Sequence, residues 1–274
     1  MIILAATPIG NLGDASRRLV ETLEGATVLA AEDTRTAAHL LRSLGITNHP
    51  RIVSLHDHNE RERAVTLVAE AADIDIVVLS DAGMPTVSDP GYHLVTLAAE
   101  KGVRVTALPG PSAVITALAV SGLPTDRFSF EGFLPRKQGE RLALLTELAA
   151  ENRTMVFFES PARLASSLTD IAATFGGSRR VAVCRELTKM YEEVVRGTAE
   201  ELAEWAAGGV RGEICLVVEG ARRRSVGFDE AVARVRELVA EGTRLKDAAA
   251  EVSEHTGHGK RDLYQAALDA KRQA

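Results

Sequence analysis

The chain has 274 residues, of which 46% are hydrophobic and 26% charged, and at about 150 residues per domain it is long enough for about two compact domains. This composition excludes a disordered, fibrous or disulfide-scaffold protein. A formal net charge of -6 excludes nucleic-acid binding through overall basicity; residues 222–274, with 11 Lys or Arg against 9 Asp or Glu, point to local polyanion contacts instead.

No apolar run approaches the roughly 20 residues of a membrane-spanning helix. The start, MIILAATPIG, lacks a basic leader and cleavage site, so a cytoplasmic protein without membrane association is expected. Cys184 and Cys215 lie in apolar runs, VAVC and EICLVVEG, and read as buried reduced thiols without a function.

In chain order, IILAAT reads as a strand, PIGNLGD as a turn, and SRRLVETLEG as a helix capped by Asp14 or Ser16. The rhythm continues through ATVLAAED, TRTAAHLLRSLG, RIVSLH, NERERAVTLVAEAA, DIVVLSDAG, GYHLVTLAAEKG, VRVTALPG and PSAVITALAVSG. Apolar strands separated by amphipathic helices predict a parallel sheet covered on both faces. LPTDRFSFEGFLPRKQG carries neither a helical nor a strand period and reads as an interdomain connection. A second alternation follows, and because no helix separates RRVAVCREL from EEVVRGT, its sheet is expected to be mixed. After Gly220, ARRRSVG reads as a basic linker before three helical segments. The expected fold class is α/β: a parallel-sheet N-terminal domain (1–122), a mixed-sheet C-terminal domain (123–220) and a helical tail (221–274).

Ligands of open α/β sheets bind beyond the carboxyl ends of the strands, and four such loops are unusual. TPIGNLGD is not the G-x-G-x-x-G fingerprint, which removes the main support for a nicotinamide or flavin enzyme. In SDAGMPTVSDPGYHL, Asp81 directly follows a buried strand in a rigid, small-residue loop suited to main-chain contacts, while Asp89 reads as a turn or capping residue. LPGPSA offers amides to a carboxylate or nucleoside, with Ser112 placed to cap the next helix. AAEDTR groups Glu32, Asp33, Thr34 and Arg35, more polar side chains than capping requires, and LHDHNE places His56, Asp57, His58 and Asn59 after another strand. No standard metal-ligand spacing is present.

Taken in order, TPIGNL, AEDTR, LHDHNE, SDAGMPTVSDPGYHLV, LPGPSA, EGFLPRK, FFESPARL and RELTK closely resemble the ribosomal small-subunit RNA (cytidine-2′-O-)-methyltransferase family, one of the tetrapyrrole methylase-like methyltransferases. The resemblance runs from Ile3 to Gly220, and LKDAAAEVSEHTGHGKRDLYQAAL is similar to that family's helical tail. It implies a homodimer of two α/β domains per subunit, with S-adenosylmethionine in the cleft between them, and 16S rRNA in the small ribosomal subunit as substrate. By motif position, Pro8, Asp81, Met84, Ser112, Ala113, Phe158 and Leu187 would meet the cofactor; Met84 stands where a smaller Thr is expected.

Methyl transfer to a ribose 2′-hydroxyl calls for a base and an orienting cation. Asp33, His56 or Glu186 fits the first role, and Arg35, Arg185 or Lys189 the second; Asp33 with Arg35 and Glu186 with Lys189 read equally as structural ion pairs. RNA contacts are expected from Arg136, Lys137, Arg222, Arg223, Arg224, Lys260 and Arg261. With 4% aromatic residues there are few stacking platforms, which favours assembled RNA over a short free strand. The rival readings are a tetrapyrrole methylase and a non-catalytic RNA-binding or ribosome-assembly module.

Overall fold

The structure, a computed structural model, describes residues 1–221 and 227–273. Residues 1–221 cluster as one compact unit and the remainder as a second. The first unit opens with β1 (Ile2–Ala5), α1 (Arg17–Gly25), β2 (Val28–Ala31), α2 (Thr34–Ser43), β3 (Arg51–Ser54), α3 (Glu60–Glu70), β4 (Ile76–Leu79), α4 (Tyr92–Glu100), β5 (Val105–Leu108) and α5 (Ala113–Ser121). Their five strands form a wholly parallel sheet in the order β3-β2-β4-β1-β5. The strands alternate side chains between two helical layers, as a period of two requires. Ile3, Ala5, Leu29, Ala31, Val77 and Leu79 pack with Leu19 and Leu23 of α1, whereas Ile2, Leu4, Val28, Ala30, Ile76 and Val78 pack with Leu67 of α3 and Leu94 of α4. Ser16, not Asp14, caps α1, its hydroxyl accepting from the Leu19 amide at 3.1 Å.

The chain continues as β6 (Phe128–Phe133), α6 (Gln138–Leu148), β7 (Thr154–Glu159), α7 (Leu164–Phe175), β8 (Arg180–Arg185), β9 (Glu193–Thr198), α8 (Ala199–Ala207) and β10 (Ile214–Val218). This second sheet, β6-β7-β10-β8-β9, is mixed, with β6 and β7 parallel and the other pairs antiparallel. The segment FSFEGF, expected to lie in the interdomain connection without a strand period, is instead the edge strand β6. A register shift between Phe130 and Gly132 interrupts its alternation, which is why no strand period shows in the sequence.

One face of the second sheet, with Met155, Phe157, Val183 and Leu216, packs under α6 to α8; the other, with Val156, Ala182, Cys184, Cys215 and Val217, packs against Val114, Ala117 and Leu118 of α5. Helix α5 thus follows the first sheet in sequence but rests on the second. The sequence boundary at residue 122 therefore falls inside a continuous core.

The loop entering α6 is pinned from beneath. Arg141 and Asp170, with side chains only 5% and 6% exposed, pair at 2.6 Å, Gln138 donates to the same carboxylate at 3.0 Å, and Arg141 also reaches the Pro135 carbonyl at 3.3 Å. In the second unit, α9 (Phe228–Ala240), α10 (Leu245–Thr256) and α11 (Lys260–Gln273) share a small core of Ala231, Val235, Leu238, Ala248, Val252 and Leu263.

Replacing Asp170 by Ala strands a buried guanidinium, which typically costs about 3–5 kcal/mol. Urea unfolding of Asp170→Ala is expected to show a loss of that order, whereas a loss below about 1 kcal/mol would place the pair in water.

Candidate functional site

The carboxyl ends of the first sheet face the inner side of the second across a cavity of about 460 Å³, within the size range of small-ligand sites. Ile9, Ala82 and Ala113 line it from the first half and Phe133, Phe158, Cys184, Leu187 and Cys215 from the second. Carboxylates ring it: Glu32, Asp81 and Asp89 on one side, Glu159 and Glu213 on the other.

Close backbone approaches build this cavity. Thr7 and Gly83 exchange backbone hydrogen bonds at 2.8 and 3.2 Å, joining the first loop to the one after β4; Gly83 has φ of +82°, where a side chain would be strained. Gly10 meets the second half directly: a β-carbon there would stand 2.4 Å from Lys189 Cγ and 3.0 Å from the Leu187 carbonyl. A neighbouring depression of about 330 Å³, lined by Thr7, Pro8, Gly10, Thr36, His39 and Asp81 among others, adjoins the first loop.

Two expected helix caps are absent. Ser112 occupies the N-cap position of α5, but its hydroxyl makes no capping bond. Asp89 does not cap α4 either: Glu60, 5% exposed, reaches across from α3 and accepts from the amides of Gly91, His93 and Leu94 at 2.9, 2.6 and 3.4 Å. With that helix start satisfied by another carboxylate, Asp89 is left on the cavity wall. No local pattern announces Glu60, because its partners lie more than 30 residues away.

Of the residues proposed to meet a cofactor, Asp81, Ala113, Phe158 and Leu187 line the main cavity and Pro8 the neighbouring one. Met84 packs into the core beside α3 and α4, and neither it nor Ser112 lines the cavity. Phe158 is steadied by Phe130 and Phe133, at ring separations of 4.9 and 5.4 Å. Sequence reasoning missed Phe133, Glu159 and the two thiols as lining residues. The thiols share a sheet face with Ala182 and Val217, so strand alternation did carry that signal.

The expected base and cation residues are largely occupied elsewhere. Asp33 caps α2, accepting from the Arg35 amide at 2.8 Å and pairing with its guanidinium at 2.7 Å; these hydrogen bonds hold its carboxyl down at about 2. Glu186 accepts from the Glu213 amide and from Lys189 Nζ, both at 2.9 Å, which lowers its pKa and fastens two loops together. Arg185 pairs with Glu193 at 2.6 Å. His56 lies beyond β3, its Nδ1 buried without a hydrogen bond, and is not on the cavity wall. Arg136 and Lys137 are exposed, with Lys137 bonded to Glu140 at 2.8 Å. Lys260 and Arg261 are exposed and share a shallow depression with Lys246 and Tyr264, whereas Arg222, Arg223 and Arg224 lie outside the described residues.

The cavity's own acids behave differently. Burial, with Asp81 and Asp57 nearby, raises Glu32; burial raises Asp81. Burial and the charges of Glu32, Asp81 and Asp57 push Asp89 up to about 7, against a hydrogen bond from Ser80 that acts the other way.

Residues 1–203 match the family of Tetrapyrrole (Corrin/Porphyrin) Methylases, and residues 226–271 the RsmI C-terminal HTH domain. The chain is 52% identical over 275 residues to the ribosomal RNA small subunit methyltransferase I of Mycobacterium tuberculosis (strain ATCC 25618 / H37Rv), covering 99% of this chain and 96% of the relative. It is 43% identical to the protein of that name from Escherichia coli O157:H7, covering 98% and 94%. Among solved structures, diphthine synthase superposes with a TM-score of 0.62 at 16% identity, covering 80% of this chain and 89% of that one. A uroporphyrin-III-C-methyltransferase from Thermus thermophilus gives 0.56 at 19%, covering 80% and 93%. The structural likenesses establish a shared fold.

An Asp held near 7 when folded and near 3.8 when unfolded binds its proton more tightly in the native state. Its stabilising contribution is therefore full below the unfolded value and is lost as pH rises towards about 7. Asp89→Asn should flatten the fall in urea midpoint across that window and raise the midpoint above it; an unchanged pH profile would contradict the burial of this carboxyl.

Proposed function

Because the chain belongs to the ribosomal RNA small subunit methyltransferase I family, within the tetrapyrrole methylases, we propose that it transfers a methyl group from S-adenosylmethionine to the 2′-oxygen of a cytidine ribose in 16S rRNA. One observation carries this reading: the likeness to the ribosomal RNA methyltransferases spans 99% of the chain, through both the cleft-bearing unit and the helical tail, while the solved tetrapyrrole-type enzyme aligns with 80%. It favours ribosomal RNA over a tetrapyrrole as acceptor.

The cleft suits the cofactor. Phe133, Phe158, Ile9 and Leu187 offer an apolar wall for an aromatic base, while Glu32 and Asp81 supply negative charge where a sulfonium and an ammonium group must be held. Small residues, Ala82, Ala113, Cys184 and Cys215, leave the space open. The cofactor supplies an electrophilic methyl group on a positively charged sulfur. The protein's task is to align an acceptor oxygen in line with it, keep water out and take away the acceptor's proton.

Phosphate contacts fall to the exposed Arg136 and Lys137 and, in the second unit, to Lys246, Lys260 and Arg261, with Tyr264 available for stacking. We also propose a homodimer in the cytoplasm. Exposed Phe133, Met190 and Tyr191 in the second half support an apolar subunit interface, and the two free, buried thiols support a reducing compartment. Among the described residues no helix is long and apolar enough to cross a membrane.

Methyl-labelled S-adenosylmethionine and unmodified small subunits, followed by nuclease digestion and mass spectrometry, are expected to place label on a cytidine 2′-oxygen. Label on a base, or transfer to a tetrapyrrole in preference to RNA, would refute this assignment. Phe158→Ala should weaken cofactor binding by about tenfold in calorimetry.

A further inference from the structure

Removal of the proton from a ribose hydroxyl needs a group on the cavity wall that is free to receive it, and the wall's carboxylates differ sharply in this respect. Glu159 is buried and committed to Arg163, to the Ser160 amide at 2.7 Å and to the Ser167 hydroxyl at 2.5 Å. Glu213 pairs with Lys189 at 3.2 Å and is 77% exposed. Asp81 accepts from the Asp33 amide at 3.3 Å in an exposed position. Asp33 and Glu186, expected as bases from the sequence, are held in ion pairs and do not line this wall.

Asp89 is different. It is half-buried on the cavity wall, Glu60 has relieved it of capping duty, and the preceding residues Thr86 and Ser88 adopt left-handed φ values of 77° and 63°. Non-glycine residues are rarely held so, and two within three positions mark a loop shaped for presentation rather than for local comfort. We propose that Asp89 is the general base of the reaction, accepting the proton of the acceptor ribose 2′-hydroxyl. This inference rests on the methyltransferase reading of the cleft.

The charged and titratable groups facing Asp89 are Glu32 beyond β2, Asp57 beyond β3 and Asp81 beyond β4, with Glu159 and Glu213 on the opposite wall. All are acidic. Burial first, then the charges of Glu32, Asp81 and Asp57, raise its proton affinity to about 7 against a hydrogen bond from Ser80, close to the working pH at which a general base is most effective. In the step itself, the ribose O–H bond breaks and its proton passes to an Asp89 carboxylate oxygen. The freed oxygen pair forms the O–CH₃ bond, the S–CH₃ bond breaks with its electron pair remaining on sulfur, and the proton then leaves Asp89 for water.

Asp89→Asn keeps the shape and removes the proton acceptor. Single-turnover methylation of small subunits from about pH 5.5 to 9 should show a wild-type rate that rises and levels off above about pH 7, and a variant slower by about 10²–10⁴ without that acid limb. Cofactor affinity by calorimetry should stay within about threefold, and Asp89→Glu should recover part of the rate. Independently of activity, ¹³C-carboxyl NMR of the whole protein should show an aspartate titrating near pH 7 that is missing from the Asn variant. A variant within about tenfold of wild type, an unchanged acid limb, or an Asp89 carboxyl titrating below pH 5 would overturn the proposal; the wild-type titration decides even if the variant misfolds. Wild-type protein that binds cofactor yet methylates no ribosomal RNA would overturn the underlying reading, and the proposal with it.

Discussion

The packing of α5 on the second sheet governs the rest of the first unit. A helix that follows a parallel strand ordinarily returns to cover its own sheet. Here Val114, Ala117 and Leu118 are buried against Val156, Ala182, Cys184 and Val217, and Arg196 of β9 closes the far end by donating to the Ser121 carbonyl at 2.9 Å and to that of Val120. Burial of several such side chains at about 1.5–3 kcal/mol each joins the two halves into one core. The carboxyl ends of the parallel strands are thereby held opposite the inner face of the mixed sheet, and the cavity is what lies between.

Within that frame, one type of side chain does several jobs according to its surroundings. Glu60 is buried against three amides and fixes the start of α4. Asp33 is tied to Arg35 and caps α2. Glu186, at a left-handed φ of 51°, joins the loop after β8 to the Glu213 amide. Glu32 and Asp89, half-buried, and the more exposed Asp81 crowd one another, and holding a proton or facing a cation relieves their repulsion. A cleft lined by both carboxylates and apolar side chains suits a positively charged methyl donor.

Most of the architecture is legible in the sequence, because strands buried on both faces and capped amphipathic helices leave local patterns. The parallel first sheet, the mixed second one and the helical tail follow from such patterns. Strand β6 does not, since its bulge at Gly132 breaks the alternation that would identify it. The cleft loops are also legible as loops poor in committed side chains. What the sequence does not show is how the carboxylates are shared out. Asp89 sits directly before a helix and reads as its cap until Glu60, arriving from α3, is seen to hold that place. Long-range hydrogen bonds of this kind leave no periodicity and no spacing to read.

The most direct measurement is amide hydrogen exchange with and without S-adenosylmethionine. If the cofactor lies between the halves that α5 joins, exchange should slow in the loops 80–91 and 109–113 of the first half and, to a similar degree, in 186–189 and 211–214 of the second. Slowing confined to the loops of one sheet, or centred on the helices of residues 228–270, would contradict a site built from both.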